Sequence, residues 1–157
     1  MVRLVPMSEA EFLRYLEPAV EGYAQAHIKA GDCDREDALA LAQADYASLL
    51  PQGVATKDNH LFSIYTADSP TPVGMIWFAS REKRSKKSAY IYDFEIYPEF
   101  RRKGYGVETL KKLEELVAAM GISRISLNVM GWNLAARALY EKQGYGVAGI
   151  GMTKVLA

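Results

Sequence analysis

Apolar positions in the first half of the chain recur at helical spacing. Phe12, Leu13, Leu16, Val20, Tyr23 and Ala24 follow Ser8-Glu9-Ala10-Glu11, which has the spacing of a capping box. This predicts a helix as the first element, bent or broken near Pro18 and stopped by Gly31-Asp32. Asp34 and Asp37 can start a second helix that carries Leu39, Leu41, Ala42, Tyr46, Leu49 and Leu50, with Pro51-Gln52-Gly53 ending it. From His60 the pattern becomes strand-like. Residues 61–66 and 73–79 read as an antiparallel hairpin around a turn at 67–72, residues 81–87 as a polar, solvated connection, and 89–97 as a third long strand. A helix at 107–120, a stop at Gly121, a strand at 124–130 and a helix at 133–143 follow. The apolar segment 145–156 is expected to return as a strand, its glycines marking a turn or bulge.

No repeat, linker or low-complexity tract interrupts this order, and 157 residues fit a single domain spanning 1–157. Hydrophobic residues make up 50% and charged residues 24%, the balance of an ordered globule rather than a disordered chain. Lys plus Arg and Asp plus Glu each number 19, so no whole-chain field favours nucleic acid or an anionic membrane, and any anion site must be local. Cys33 is the one cysteine and His27 and His60 the two histidines, which argues against a disulfide and against a metal centre. No apolar window has the length of a membrane span, and the opening residues lack the pattern of an export leader. A cytoplasmic protein is the expectation.

Candidate chemistry begins at Arg101-Arg102-Lys103-Gly104-Tyr105-Gly106, between a strand and a helix. A basic glycine turn that opens a helix presents unbonded backbone N–H groups at a positive dipole end, a ready site for phosphate oxygens. Two nucleotide readings fail: the glycines form only part of a dinucleotide fingerprint, and no Gly-x-x-x-x-Gly-Lys-Ser/Thr loop exists. Gly144-Tyr145-Gly146-Val147-Ala148-Gly149 matches Gly-x-Gly-x-x-Gly by letter, but it follows a helix and precedes a strand, the reverse of a phosphate-binding context. Gly144 reads better as a helix C-terminal cap.

The Arg-x-x-Gly-x-Gly spacing at 101–106, the strand end Glu95-Ile96-Tyr97-Pro98 and the later Asn133-x-x-Ala136-x-x-Leu139-Tyr140 followed by Gly144-Tyr145 together resemble the GNAT superfamily of N-acyltransferases. The resemblance covers nearly the full length. It implies an α/β (α+β) fold: a mixed, mostly antiparallel sheet splayed at its centre and flanked by helices on both faces. It also implies acetyl-CoA as cosubstrate, no metal, and direct transfer to a primary amine of a small molecule or peptide, with no nucleic-acid or membrane partner and with the chain a monomer or homodimer.

On that resemblance Arg101, Arg102, Lys103, Gly104, Tyr105, Gly106 and Val107 cradle the diphosphate, and Glu95, Ile96 and Tyr97 offer backbone groups to the pantetheine arm. Tyr140 matches the family's frequent tyrosine proton donor, although a tyrosine at this place equally anchors a helix in a core. Asn133 is a cofactor contact, a helix cap or both. Glu95 is the candidate base; attraction of a cationic amine or pairing with an Arg or Lys accounts for it equally. Asp93 is a weaker candidate on the same strand parity, opposite Tyr90, Tyr92, Phe94 and Ile96. Some members that modify protein termini carry a glutamate on the next strand, where this chain has Asn128, which argues against that mechanism. Cys33, between Asp32 and Asp34, is unsuited to be a nucleophile. The resemblance places the acceptor against the two N-terminal helices and the strand after Asn128, which makes Tyr15, Tyr23, His27, Tyr46 and Trp132 candidate lining residues, although a packed helix face accounts for them equally. A coenzyme A-binding module without turnover and a nucleotide-binding protein are the competing readings.

Overall fold

Alternation of apolar and polar residues builds one mixed sheet in the computed structural model, which describes residues 1–156. Its strands are β1 (Val2–Pro6), β2 (Asn59–Thr66), β3 (Gly74–Lys83), β4 (Lys86–Ile96) and β5 (Ile125–Leu127), arranged in chain order. The first four pair antiparallel, and β5 joins β4 in parallel. Helices α1 (Glu9–Ala30) and α2 (Arg35–Leu49) cover one face through Phe12, Tyr15, Ala42 and Tyr46, packed on Met75 and Trp77. Helix α3 (Tyr105–Ala119) covers the other through Leu110, Leu113 and Val117, packed on Ile76, Phe78 and Ile91, and the short α4 (Leu134–Lys142) adds Leu139 and Tyr140 at the margin. This is the α/β fold expected, with helices on both faces.

Pairing between β4 and β5 covers only Ala89 to Ile91 against Ile125 to Leu127. Beyond Ile91 the two strands part. Strand β5 is therefore shorter than the predicted 124–130, and the splay leaves the last half of β4 open on that side.

Four expectations are corrected. The first element is a strand, not a helix: Val2 is buried, and its N–H donates to Glu108 Oε2 at 2.9 Å, tying β1 to the first turn of α3. Five residues ending in a proline suit an edge strand but give too short a pattern to recognise. Helix α1 runs unbroken through Pro18. Arg14 and Pro18 are both exposed, so the carbonyl deprived of its amide partner faces water. The predicted polar connection at 81–87 is paired strand, reversed by Arg84 and Ser85 alone, both with positive φ (52° and 64°), as a tight hairpin turn requires. Finally, residues 145–156 form no strand.

Caps set the helix ends. Ser8 and Glu11 make the reciprocal capping box of α1. Gly144, φ 93°, follows α4, and the Gly144 and Tyr145 amides donate to the Glu141 and Tyr140 carbonyls at 3.0 Å each, a Schellman cap as read from the sequence. Gly22 has no such duty: it lies inside α1 with ordinary φ, and a Cβ there would meet nothing within 4 Å. Gly22→Ala should therefore raise stability by about 0.5–1 kcal/mol in urea unfolding, by reducing the freedom of the unfolded chain.

Candidate active site

The end of β4 carries the candidate carboxylates Asp93 and Glu95, and a bulge decides which way the strand's residues face. Opposite β3, Trp77 pairs with Asp93 and Phe78 with Ile91, leaving Tyr92 as an extra residue. The extra residue breaks strict alternation. Tyr92 stacks on Trp77 at 4.6 Å, and Asp93 accepts from the Tyr15 hydroxyl at 2.7 Å, so both lie on the α1–α2 face. Ile91 and Phe94 pack on the α3 face. The expectation that Tyr90 and Tyr92 sit opposite Asp93 is thus corrected: Tyr90 lies 4.9 Å from Tyr92, ring to ring, on the acidic side.

Where β4 parts from β5, a cleft of about 580 Å³ opens between the end of β4, the start of α3 and one side of α4. Among the residues expected from the sequence, it is lined by Glu95, Ile96, Arg101, Arg102, Gly104, Tyr105, Gly106, Val107, Asn133 and Tyr140. Tyr97 and Lys103 stand outside it. Tyr97 is half-buried and donates its N–H to the Val73 carbonyl at 2.9 Å; Lys103 is exposed in the turn.

The basic turn is shaped by left-handed backbone. Arg102 has φ 62°, and Gly104, the residue preceding α3, has φ 83°. A Cβ on Gly104 would meet nothing within 4 Å, so its need is conformational rather than steric. The first helical bond runs from the Glu108 N–H to the Gly104 carbonyl at 3.1 Å; the amides of Tyr105, Gly106 and Val107 precede it, at the positive end of the helix. Gly106 does a different job: a Cβ there would touch Leu139 at 3.3 Å, so its bareness lets α3 approach α4.

Five residues missed in the sequence complete the walls: Phe94, Phe100, Ala135, Ala136 and Leu139. Gly74, outside the lining, supports them. Gly74 faces Ile96 across β3–β4, and a Cβ on it would collide with the Glu95 carbonyl oxygen. A glycine at a strand start carries no signal of such an approach.

Arg101 is turned inward. Its Nε donates to the Ile96 carbonyl at 2.7 Å, and its Nη2 lies 3.3 Å from Glu95 Oε1. Burial raises the pKa of Glu95 most, the Asp93 carboxyl adds to the rise, and Arg101 opposes it. The balance is upward, toward the range of a working base. On α4, Tyr140 leans on Phe94 (6.5 Å between ring centres) and Tyr145 (5.5 Å). Burial raises its pKa strongly, with Tyr145 and Asp93 adding to the shift, so the phenol keeps its proton at any physiological pH. Asn133 caps α4 by accepting the Ala136 N–H at 3.2 Å through Oδ1, and Nδ2 makes no bond among the described residues.

On the α1–α2 face a continuous aromatic row leads to the same strand end: Tyr23, Tyr46, Trp77 and Tyr92, each within 6 Å of the next. Tyr15 and Tyr46 are buried within the core. Tyr23 donates to Asp45 at 3.1 Å, and His27 lies 2.9 Å from Asp32. Trp132 is exposed, with the Lys29 ammonium 4.7 Å above its ring.

Asp93 lies next to Tyr92 at the end of this row and accepts from Tyr15. Burial raises its pKa above the ordinary 3.8 despite the Tyr15 hydroxyl and the Phe94 amide, which lower it. The folded protein therefore holds this proton more tightly than the unfolded chain, and stability falls as pH rises from 3.8 through the raised folded value. Asp93→Asn should melt higher than the parent at about pH 7.5 and level with it at about pH 3. Equal melting temperatures at both pH values would show that the charge carries no folding cost.

A sheet whose last two strands part beside a bare helix N-terminus is the arrangement expected of the N-acetyltransferase class. The chain belongs to the acetyltransferase (GNAT) family, whose model matches residues 20–145. It is similar to the uncharacterized N-acetyltransferase YycN of Bacillus subtilis, 36% identical over 155 residues and 99% of each chain. A crystal structure of YycN superposes with a TM-score of 0.94, covering 100% of this chain and 99% of that one. The thialysine N-ε-acetyltransferase of Caenorhabditis elegans is 30% identical over 99 residues, 63% of this chain and 61% of that protein. Among the described residues, no helix is long and apolar enough to cross a membrane.

Proposed function

We propose that this protein transfers the acetyl group of acetyl-CoA to a primary amine of a small molecule or peptide. The observation that carries the reading is the cleft itself: free amides of the α3 start at one end, with Glu95 on β4 and Tyr140 on α4 both in its lining. Arg102, Lys103 and those amides suit a diphosphate, and the edge of β4 left bare by the splay suits an extended arm. When bound, acetyl-CoA supplies the activated acyl carbon as a thioester.

Glu95 accepts the ammonium proton, directly or through a water, so that the acceptor presents a neutral amine. Tyr140, still protonated, donates to the departing sulfur. The Asn133 Nδ2 donor is free for a carbonyl of the arm. The aromatic row with Asp93 beneath it favours a cationic acceptor, and a relative named for thialysine, a compound with a side-chain amine, supports a small one.

The test is release of free thiol from acetyl-CoA in the presence of polyamines, amino acids with side-chain amines, aminoglycosides and peptides. Thiol release with one class above background is expected. Binding of acetyl-CoA without release for any acceptor would make the protein a coenzyme-binding module instead.

The pH profile tests the base. Glu95 must be ionised to act, so kcat/KM should rise with pH through its raised pKa and fall away on the acid side. Asp93→Asn removes one of the causes of that rise and should move the acid limb to lower pH. An acid limb that Asp93→Asn leaves in place would assign the limb to another group.

A further inference from the structure

Beyond Tyr92 the aromatic row of the α1–α2 face continues to Tyr90, and a cation lies across the two. The Arg81 guanidinium stands 4.5 Å over the Tyr90 ring and 5.4 Å from that of Tyr92, and its Nη2 donates to the Tyr92 hydroxyl. A guanidinium held by two rings and a hydroxyl is fixed in orientation, ready for a planar anion. Yet Arg81 is exposed, and among the described residues no carboxylate pairs with it. The rest of its N–H fork is unused.

Strand register puts this cation and Glu95 on one face. Along β3, Met75 and Trp77 pack on α1 and α2, and Arg81 shares their parity. Met75 stands opposite Glu95 and Trp77 opposite Asp93. The face is therefore bipolar, with Asp93 and Glu95 at one end and Arg81 at the other, where Lys83 and Lys86 face each other across the hairpin and add to the positive charge. Tyr92 lies between, about 10 Å along the strand from Glu95. An acceptor that delivers its amine to Glu95 has its far end over Tyr92, beside Arg81. A carboxylate there meets a waiting pair of N–H donors, whereas a second ammonium is repelled.

We propose that Arg81 determines acceptor specificity by binding a carboxylate, so that the substrates are amino acids whose reacting amine lies at the far end of a chain, directed to Glu95. Resting on acetyl transfer at Glu95, this role narrows the acceptor, since polyamines and aminoglycosides offer no carboxylate. An α-amine, next to its own carboxylate, cannot serve both ends; an amine at the tip of a flexible side chain can.

Two acceptors of nearly equal length test the role. ε-Aminocaproate and cadaverine share a pentamethylene chain and one amine, and differ in whether the far end is a carboxylate or a second amine. With acetyl-CoA as donor, kcat/KM should favour ε-aminocaproate by about 10–100-fold, the worth of a charge-assisted bond. Arg81→Gln should abolish the preference and Arg81→Glu should reverse it, with far-ultraviolet circular dichroism unchanged because the side chain is exposed. Calorimetry separates binding from chemistry: ε-aminocaproate should bind the parent protein loaded with coenzyme A at least about tenfold more tightly than it binds Arg81→Gln. Thiol release from acetyl-CoA with a preference that both substitutions leave in place would overturn the role of Arg81 and keep acetyl transfer. Arg81-dependent binding without thiol release for either acceptor would keep the carboxylate site and end the transfer reading. A parent protein that prefers cadaverine, or that binds ε-aminocaproate no better than Arg81→Gln does, would also overturn the role of Arg81.

Discussion

Tyr140→Phe should lower kcat by about 10²–10⁴ while leaving acetyl-CoA affinity within about twofold. The phenyl ring keeps its packing on Phe94 and Tyr145, and no hydrogen bond within the described residues is lost, so the fold should be untouched. Only the proton is removed. A thiolate leaving without a proton source must wait for water, and the cleft wall offers few substitutes. Tyr145 stands beside Tyr140 but outside the cleft lining: burial, aided by Glu114, pushes its pKa up to about 12, and its buried hydroxyl has no partner among the described residues. Tyr145→Phe should therefore be mild alone. Steady-state kinetics with the best acceptor, together with equilibrium binding of acetyl-CoA, separates the two effects. Unchanged kcat in Tyr140→Phe would remove this residue from the chemistry and leave it a packing tyrosine.

The second large effect comes from a residue with no side chain. Gly74→Ala would set a methyl group against the Glu95 carbonyl oxygen and, at 3.1 Å, the Ile96 Cα, both backbone atoms that cannot swing aside. The strands must separate there. The cost should be about 3 kcal/mol, at the upper end for overpacking, and a fall in melting temperature of about 6–12 °C. Because the displaced strand end forms the cleft, KM for acetyl-CoA should rise in the protein that remains folded. Gly22→Ala is the natural comparison, a Gly-to-Ala change of opposite expected sign. If Gly74→Ala melts with the parent, β3 and β4 are not in close register at Gly74 and Ile96.

Much of this was legible in the chain because local chemistry spoke for itself. Ser8 and Glu11 announced a helix start, Gly144 a helix end, and Arg101 to Gly106 a strand-to-helix turn that the structure opens into a cleft. What stayed hidden depended on neighbours distant in sequence. Gly74 reveals its constraint only beside Ile96, and Gly106 only beside Leu139. Strand β1 is stabilised by pairing with β2 and by the carboxylate of Glu108, more than a hundred residues away. Residues 145–156 have the composition of a strand, but composition does not supply the partner that a strand needs.

The bulge at Tyr92 bears on how this chain should be aligned with others. A strand with one residue fewer at that point would place its acids in the same columns as Asp93 and Glu95 only if a gap were opened opposite Tyr92. Without the gap, every position upstream along β4 slips by one and exchanges faces, so that core residues are scored against aromatic surface residues. A deletion of Tyr92 in the molecule itself would instead remove the bulge and leave Asp93 opposite Trp77 and Ile91 opposite Phe78, each on its present face. The slip belongs to the ungapped alignment alone, which makes this single extra residue a marker to check before any property is carried from one sequence to the other.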